Sequence, residues 1–135
     1  MLSFSFFLLC PYRLPFILIH FQMIANNPAF ARFTWDYAIP QFSRVARLLD
    51  PSLAAATDQL AASRAPELIE GFLARIGLRV GLADVSVPEG ELSTLARQCM
   101  VLPDYQGNPR VATAAEMESL VLESFAVPSR QEMNA

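Results

Sequence analysis

Residues 113–125 read TAAEMESLVLESF, and this stretch decides the fold class. Thr113 and Glu116 have the spacing of a capping box, in which each side chain accepts a hydrogen bond from the other residue's backbone N–H. A mainly apolar stripe then recurs at helical spacing: Met117, Leu120, Val121, Ser124 and Phe125. The pattern predicts a helix that buries this stripe and ends at Val127-Pro128, because the residue before a proline avoids helical angles.

The same periodicity recurs upstream and predicts helices over 28–38, 40–49 and 53–65. Pro66 either kinks the third of these helices or starts a new turn. A further apolar stripe follows and predicts a helix: Leu68, Ile69, Phe72, Leu73 and Ile76. Gly77 ends that helix as a C-cap glycine.

Residues 78–87 predict an extended connection, and the proline, glycine and asparagine of residues 102–112 predict a loop. Between them, Pro88 followed by Glu89 and Glu91 is typical of a first helical turn. One face of that helix is apolar: Leu92, Leu95, Ala96 and Cys99. No strand–helix–strand alternation occurs, so we predict an all-α helical bundle over residues 28–126.

The first 24 residues differ from the rest of the chain. Seven of the ten phenylalanines lie within the first 33 residues, and Arg13 is the only charged side chain before Ala25. We favour the interpretation that residues 1–24 are foreign to the domain, for instance through a misassigned start. A buried helix or strand, and a signal peptide or anchor, are the alternatives. The domain is then expected over residues 25–127, with a loose tail over 128–135.

Composition excludes several functions. The sequence contains no lysine, and its ten arginines are scattered without a basic run, so we expect no nucleic-acid binding. His20 is the only histidine, in an apolar run, and Cys10 and Cys99 do not suggest a disulfide framework or a metal pair. Cys99 is expected to be a buried thiol. Metal-binding, nucleotide-binding and catalytic motifs are also absent, so we assign no catalytic, cofactor-binding or metal residue.

The acidic residues are explained without catalysis. Asp84 and Asp104 are single loop acids without a visible partner, and Glu116, Glu118 and Glu123 are explained by capping and solvation.

Residues 68–125 resemble the C-terminal helical domain of iron-containing alcohol dehydrogenases. The resemblance rests on FLARIGL at 72–78, LADVSV at 82–87, ELSTLA at 91–96 and NPRV at 108–111. The family shows a helix ending in Leu-Gly-Leu, a helix with Leu-Ala near its middle, and Asn-Pro-Arg-Pro-Val-Thr before its last helix. The Asn-Pro-Arg element with the Thr113 cap is the most specific part, although Val111-Ala112 replaces the family's Pro-Val.

Upstream, ANNP at 25–28 and SRVARLL at 43–49 are similar to the family's segment after its last metal-binding histidine, so the resemblance covers about residues 24–126. It implies an N-terminal domain that binds NAD(P) and a helical domain whose Asp and three His hold Fe²⁺ or Zn²⁺. The last of these histidines is expected at Pro11 or Tyr12, and His20 is out of register. We therefore expect no metal or cofactor in this chain, which we interpret as an oxidoreductase-family fragment that is inactive alone.

Other interpretations stay open. Within the family, a maleylacetate reductase-type relative fits the same helices. Two interpretations belong to other classes of protein. One is a non-catalytic interaction module that binds through Phe30, Phe33, Trp35 and Tyr37. The other is a secreted or anchored small protein. We expect the partner to be a nucleotide-binding domain or a second copy of the chain. We expect a cytoplasmic location and no membrane insertion, with secretion or a mitochondrial location as alternatives.

Overall fold

A computed structural model of the protein describes residues 28–102 and 105–125, and within these residues the fold is all-helical. The helices are α1 (28–34), α2 (Ile39–Leu49), α3 (Asp58–Arg75), α4 (Leu92–Met100) and α5 (Ala114–Phe125). Short 3₁₀ turns stand between them: Trp35–Tyr37, Pro51–Ala55, Glu89–Glu91 and Tyr105–Gly107. The described part contains no strand, which confirms the all-α prediction. The predictions for residues 1–24, Asp104 and the tail lie outside the described residues.

Helices α2 and α3 pack against each other around small side chains. Ala46 of α2 meets Ala61 and Ala65 of α3, and all three are fully buried. Partly buried apolar residues surround this alanine cluster: Phe42, Leu53 and Leu68. The small side chains let the two helix backbones approach closely, but they bury little apolar area.

Helix α3 begins later than predicted. Pro51–Ala55 forms a 3₁₀ turn, and α3 starts at Asp58, where the Thr57 hydroxyl accepts a hydrogen bond from the Leu60 backbone N–H at 3.3 Å. The helix then continues through Pro66 without starting a new one. The predicted start at Leu53 is therefore wrong, because Pro51 and Thr57 place the turn and the cap further along the chain.

Gly77 ends α3 as predicted. Its φ of 74° lies in the left-handed region, which glycine adopts without steric cost. The N–H of Gly77 donates to the Ala74 carbonyl at 3.2 Å, and the N–H of Leu78 donates to the Leu73 carbonyl at 2.9 Å. These two bonds form a Schellman motif.

The apolar stripe of residues 68–76 is helical as predicted, but it is only partly buried. Phe72 and Ile76 are 39% and 49% exposed, whereas the buried residues of α3 lie in its first half, at 61–66. Helix lengths give the reason: α2 has 11 residues and α3 has 18, so α2 spans about 16 Å and cannot cover the whole of α3.

Helices α4 and α5 pack together over the larger core. Its buried members come from α1, the connections before α4 and α5, and these two helices: Ala29, Leu82, Leu92, Leu95, Ala96, Ala112, Met117, Leu120 and Val121. The apolar stripes predicted for α4 and α5 are therefore confirmed. Cys99 is only half-buried against this core, rather than fully buried as predicted.

The connection over 78–87 is not extended as predicted. It folds into turns over 82–86, and the N–H of Leu82 donates to the Ser124 carbonyl at 3.0 Å. The N–H of Val87 donates to the Leu82 carbonyl at 3.1 Å, and Ser86 has a φ of 63°. Burial of Leu82 explains the difference, because the chain must turn to place this side chain in the core.

None of the helices within residues 28–102 and 105–125 combines the length and apolar character needed to cross a bilayer.

Candidate functional site

An open groove of about 530 Å³ lies between α1 and α5. Small residues and two arginine–glutamate pairs line it: Ala29, Arg32, Phe33, Arg110, Ala115, Glu116, Ser119, Leu120 and Glu123. Each charged side chain of the groove belongs to an ion pair.

Arg110 closes one end of the groove. Its guanidinium carbon lies 3.8 Å from the centre of the Phe33 ring and 5.3 Å from that of Tyr37, within the range of cation–π attraction. Arg110 Nη1 donates to the Phe33 carbonyl at 3.1 Å, and Nη2 donates to Glu116 Oε1 at 2.9 Å. One side chain thus joins the end of α1 to the start of α5.

Glu116 holds Arg110 and caps α5 at the same time. Its Oε2 accepts hydrogen bonds from the Thr113 backbone N–H at 2.8 Å and from the Thr113 hydroxyl at 2.9 Å. The Thr113 oxygen in turn accepts from the Glu116 N–H at 3.3 Å, so the predicted capping box is confirmed. The hydrogen bonds from Thr113, followed by the contact with Arg110, lower the pKa of Glu116.

Arg32 occupies the other end of the groove and reaches two helices. Its Nε donates to Glu123 of α5 at 2.8 Å, and its Nη1 donates to Glu70 of α3 at 2.9 Å. Glu70 also accepts from Arg79 Nε at 2.8 Å. Partial burial works to raise the pKa of Glu70, but the hydrogen bonds and charges of Arg79 and then Arg32 outweigh it, so the pKa is lowered.

The groove offers polar recognition but no assembled reaction centre. Ser119 Oγ donates to the Ala115 carbonyl at 3.0 Å, so its proton is directed into its own helix. The lining contains no histidine or cysteine that could activate a nucleophile. Within the described part of the chain, no three His, Cys, Asp or Glu side chains converge, so these residues do not fit a four-ligand iron or zinc site.

The acids explained above by capping and solvation have further partners. Glu118 accepts from the Ser93 hydroxyl at 2.7 Å, and Glu123 pairs with Arg32 at 2.7 Å. Asp84 accepts from the Gly81 backbone N–H at 2.8 Å, so it orders the turn before α4. Solvation alone is therefore the wrong explanation for Glu123, since its partner lies 91 residues away and no local pattern indicates it.

The aromatic group proposed as a binding surface does not form one exposed face. Phe30 and Phe33 pack against the larger core, and Arg110 covers the Phe33 ring. Trp35 is partly buried, and Tyr37 is 60% exposed. His20 and Cys10 lie outside the described residues.

Together, the fold and the groove define a small all-helical bundle with a charged groove between α1 and α5. The chain is similar to an NAD-dependent methanol dehydrogenase from Bacillus methanolicus, with 27% identity over 96 residues. This alignment covers 71% of the chain but only 25% of that protein, so the chain spans about a quarter of its relative. No family model matches the chain, and no solved structure matches it. The similarity supports a distant relationship to an oxidoreductase.

Proposed function

We propose that this chain is a helical domain of an oxidoreductase that resembles the iron-containing alcohol dehydrogenases, and that it oxidises no alcohol by itself. The nucleotide-binding part and the Fe²⁺ or Zn²⁺ ligands come from a partner domain. The cofactors NAD(P) and metal are thus held outside the residues described here, and the assembled protein works in the cytoplasm.

The main support is the 27% identity with the methanol dehydrogenase, which extends over 96 residues. The Asn-Pro-Arg element, which resembles that of the family, has a structural role in this chain. Its Arg110 joins α1 to the cap of α5. A maleylacetate reductase-type relative fits the same helices, so the substrate class within the family is left to experiment.

The first experiment tests the purified chain with NAD, a panel of short alcohols and added Fe²⁺ or Zn²⁺. We expect no NADH formation and no stoichiometric metal after gel filtration, because a zinc or iron site of this kind needs about four ligands. Metal-dependent NADH formation by a monomeric chain would show that the active site has been misplaced.

The second experiment tests the positive half of the proposal. The chain is co-expressed with the Bacillus methanol dehydrogenase from which the aligned segment has been deleted. We expect the two parts to co-purify and to form more NADH from methanol than the deleted enzyme alone. The matched control is Leu82→Asp, which places a charge in the larger core and should prevent folding. A folded chain that neither binds the deleted enzyme nor raises its activity contradicts the proposal.

An interaction module acting through Phe30, Phe33, Trp35 and Tyr37 is the rival function from another class. The packing of Phe30 and Phe33 against the core argues against this surface. Tyr37→Ala distinguishes the oxidoreductase proposal from the interaction module, because it removes the most exposed ring of the four. Under the oxidoreductase proposal, co-purification of this variant with the deleted enzyme should be unchanged.

A further inference from the structure

The described chain consists of two helical units with separate cores. The hairpin unit comprises residues 39–75, in which α2 and α3 enclose the alanine cluster. The flanking unit comprises 28–34, 80–102 and 105–125, which share the larger core. The chain passes between the units twice, at residues 35–38 and 76–79. The hairpin unit is therefore an insertion into the flanking unit, attached at two crossings.

Little apolar area is available to hold the two units together. Ala31, Ala38, Ala62 and Pro66 are buried but belong to neither core cluster, and all four side chains are small. The 3₁₀ turn Trp35–Tyr37 also packs against α3. Polar contacts between the units therefore matter more than they would across a large apolar interface.

Among the described side-chain contacts, the ion pair of Arg32 with Glu70, at 2.9 Å, crosses from one unit to the other. Glu123, in the same unit as Arg32, holds the guanidinium at 2.7 Å and so orients it toward α3. Arg79, at the second crossing, donates to the other oxygen of Glu70 at 2.8 Å. Glu70 is thus fixed from two sides, with its side chain 24% exposed and that of Arg32 42% exposed.

We propose that the Arg32–Glu70 pair is an ionic-strength-sensitive bridge that holds the hairpin unit against the flanking unit. When the bridge is broken, the hairpin unit unfolds cooperatively while the larger core stays folded. The alanine cluster is the smaller core, so it opens first. The Schellman motif at Gly77 lets the chain leave α3 sharply at the second crossing without disturbing either core.

Hydrogen exchange of the full chain, read residue by residue, tests this inference. The reporter amides lie in α3 around Ala61 and Ala65, and in α5 around Met117 and Val121. Raising the NaCl concentration from about 0.01 M to about 1 M shortens the screening length from about 30 Å to about 3 Å. We expect exchange in α3 to become about fivefold faster, the size of effect for one partly exposed ion pair. Exchange in α5 should change less than exchange in α3, because the ion pairs of Glu116 and Glu123 join residues within the flanking unit.

Two variants make the test specific. Arg32→Gln removes the bridge and the pair with Glu123 but leaves Glu70 with Arg79. It should speed α3 exchange about fivefold at low salt and reduce the response of α3 to added salt. Arg64→Gln is the matched control, because it makes the same charge change but breaks only a pair with Glu67 within α3, at 3.2 Å. The control should keep the wild-type ratio of α3 to α5 exchange and its salt response.

Two results would overturn the proposal. Equal exchange profiles for Arg32→Gln and Arg64→Gln would show that the pair does not link the units. Exchange of α3 and α5 amides at the same rate under every condition would show that the chain opens as a single unit. These readouts do not involve catalysis, so they are independent of the oxidoreductase proposal.

Discussion

Arg110 and Thr113 lie three residues apart, and together they fix the start of α5. Thr113 acts locally, because its hydroxyl and Glu116 satisfy backbone groups within one helical turn. Arg110 acts over 77 residues through the Phe33 carbonyl and ring. Both contacts meet at Glu116, so the helix cap and the end of the groove share one carboxylate.

Replacing Thr113 with alanine tests the cap. The Thr113→Ala variant leaves the Glu116 backbone N–H without its acceptor, so we expect the free energy of unfolding to fall by about 1 kcal/mol. Urea denaturation measures the change. The control is Thr94→Ala within α4, where the hydroxyl only accepts a 3.1 Å bond from Arg97, and where we expect a change below about 0.5 kcal/mol. Equal midpoints for Thr113→Ala and wild type would contradict the assignment of the cap.

Replacing Arg110 with lysine tests the long-range contact. Lysine keeps the charge but loses the planar fork that lies over Phe33 and bonds two acceptors, so we expect a loss of about 1–2 kcal/mol. Thermal unfolding followed by circular dichroism gives the comparison, with Arg97→Lys as the control because Arg97 makes no contact beyond α4 in the described contacts. If Arg110→Lys and Arg97→Lys have the same midpoint of thermal unfolding, the fork geometry of Arg110 does not stabilise the fold.

The capping box could be predicted because both of its partners lie within one turn of sequence. The partners of Arg110 could not, because a scattered arginine shows nothing of a ring 77 residues away. The same holds for Arg32, whose carboxylate partners are 38 and 91 residues distant. Contacts of this kind form the candidate groove. Sequence patterns could therefore not assign any of its residues to a site.

At the scale of elements, periodicity predicted the helices better than their ends or their buried faces. The stripe of α5 is mostly buried, because α4, α1 and Leu82 together cover this helix face. The stripe over 68–76 has the same spacing but extends past the end of α2, so Phe72 and Ile76 are exposed. An apolar stripe predicts a helix, but the elements packed against that helix decide how much of the stripe is buried.

The ion pairs between elements predict a dependence of stability on pH. The pKa of Glu70 is lower in the folded chain than in the unfolded chain, where a glutamate has a pKa of about 4.3. The unfolded state therefore binds the proton first, and the stabilisation by ionised Glu70 is fully present above that value. It is lost as the pH falls through the lower pKa of the folded state.

Glu70→Gln should consequently lower the free energy of unfolding by about 1–2 kcal/mol at neutral pH. The difference from wild type should shrink as the pH falls below about 4. Urea denaturation at a series of pH values measures both effects. The control is Glu67→Gln, one turn away on α3, whose side chain is 65% exposed. A difference between Glu70→Gln and wild type that stays constant down to acid pH would show that the charge of Glu70 does not contribute.

At the scale of the whole molecule, much apolar surface faces solvent in the described part of the chain. Eleven large apolar side chains there are more than a third exposed. Leu48 is 82% exposed, Val101 is 79% exposed and Leu122 is 56% exposed, and they belong to different parts of the bundle. Scattered apolar residues are common on protein surfaces, but large apolar patches mark sites of association. The proposed partner domain would cover part of this apolar surface.

We therefore expect the isolated chain to self-associate, because each copy presents apolar side chains that a second copy can cover. Sedimentation velocity over a wide range of concentrations should show a sedimentation coefficient that rises with concentration. The triple variant Leu48→Gln, Val101→Thr, Leu122→Gln should shift association to higher concentration with little change in unfolding, since none of the three side chains is packed in a core. The control is Leu120→Gln, which changes a side chain of α5 that is only 5% exposed and should unfold the chain instead. A wild-type chain that stays monomeric at every concentration would mean that these side chains are too dispersed to form an interface, and would remove the argument that the bundle presents a surface for a partner domain.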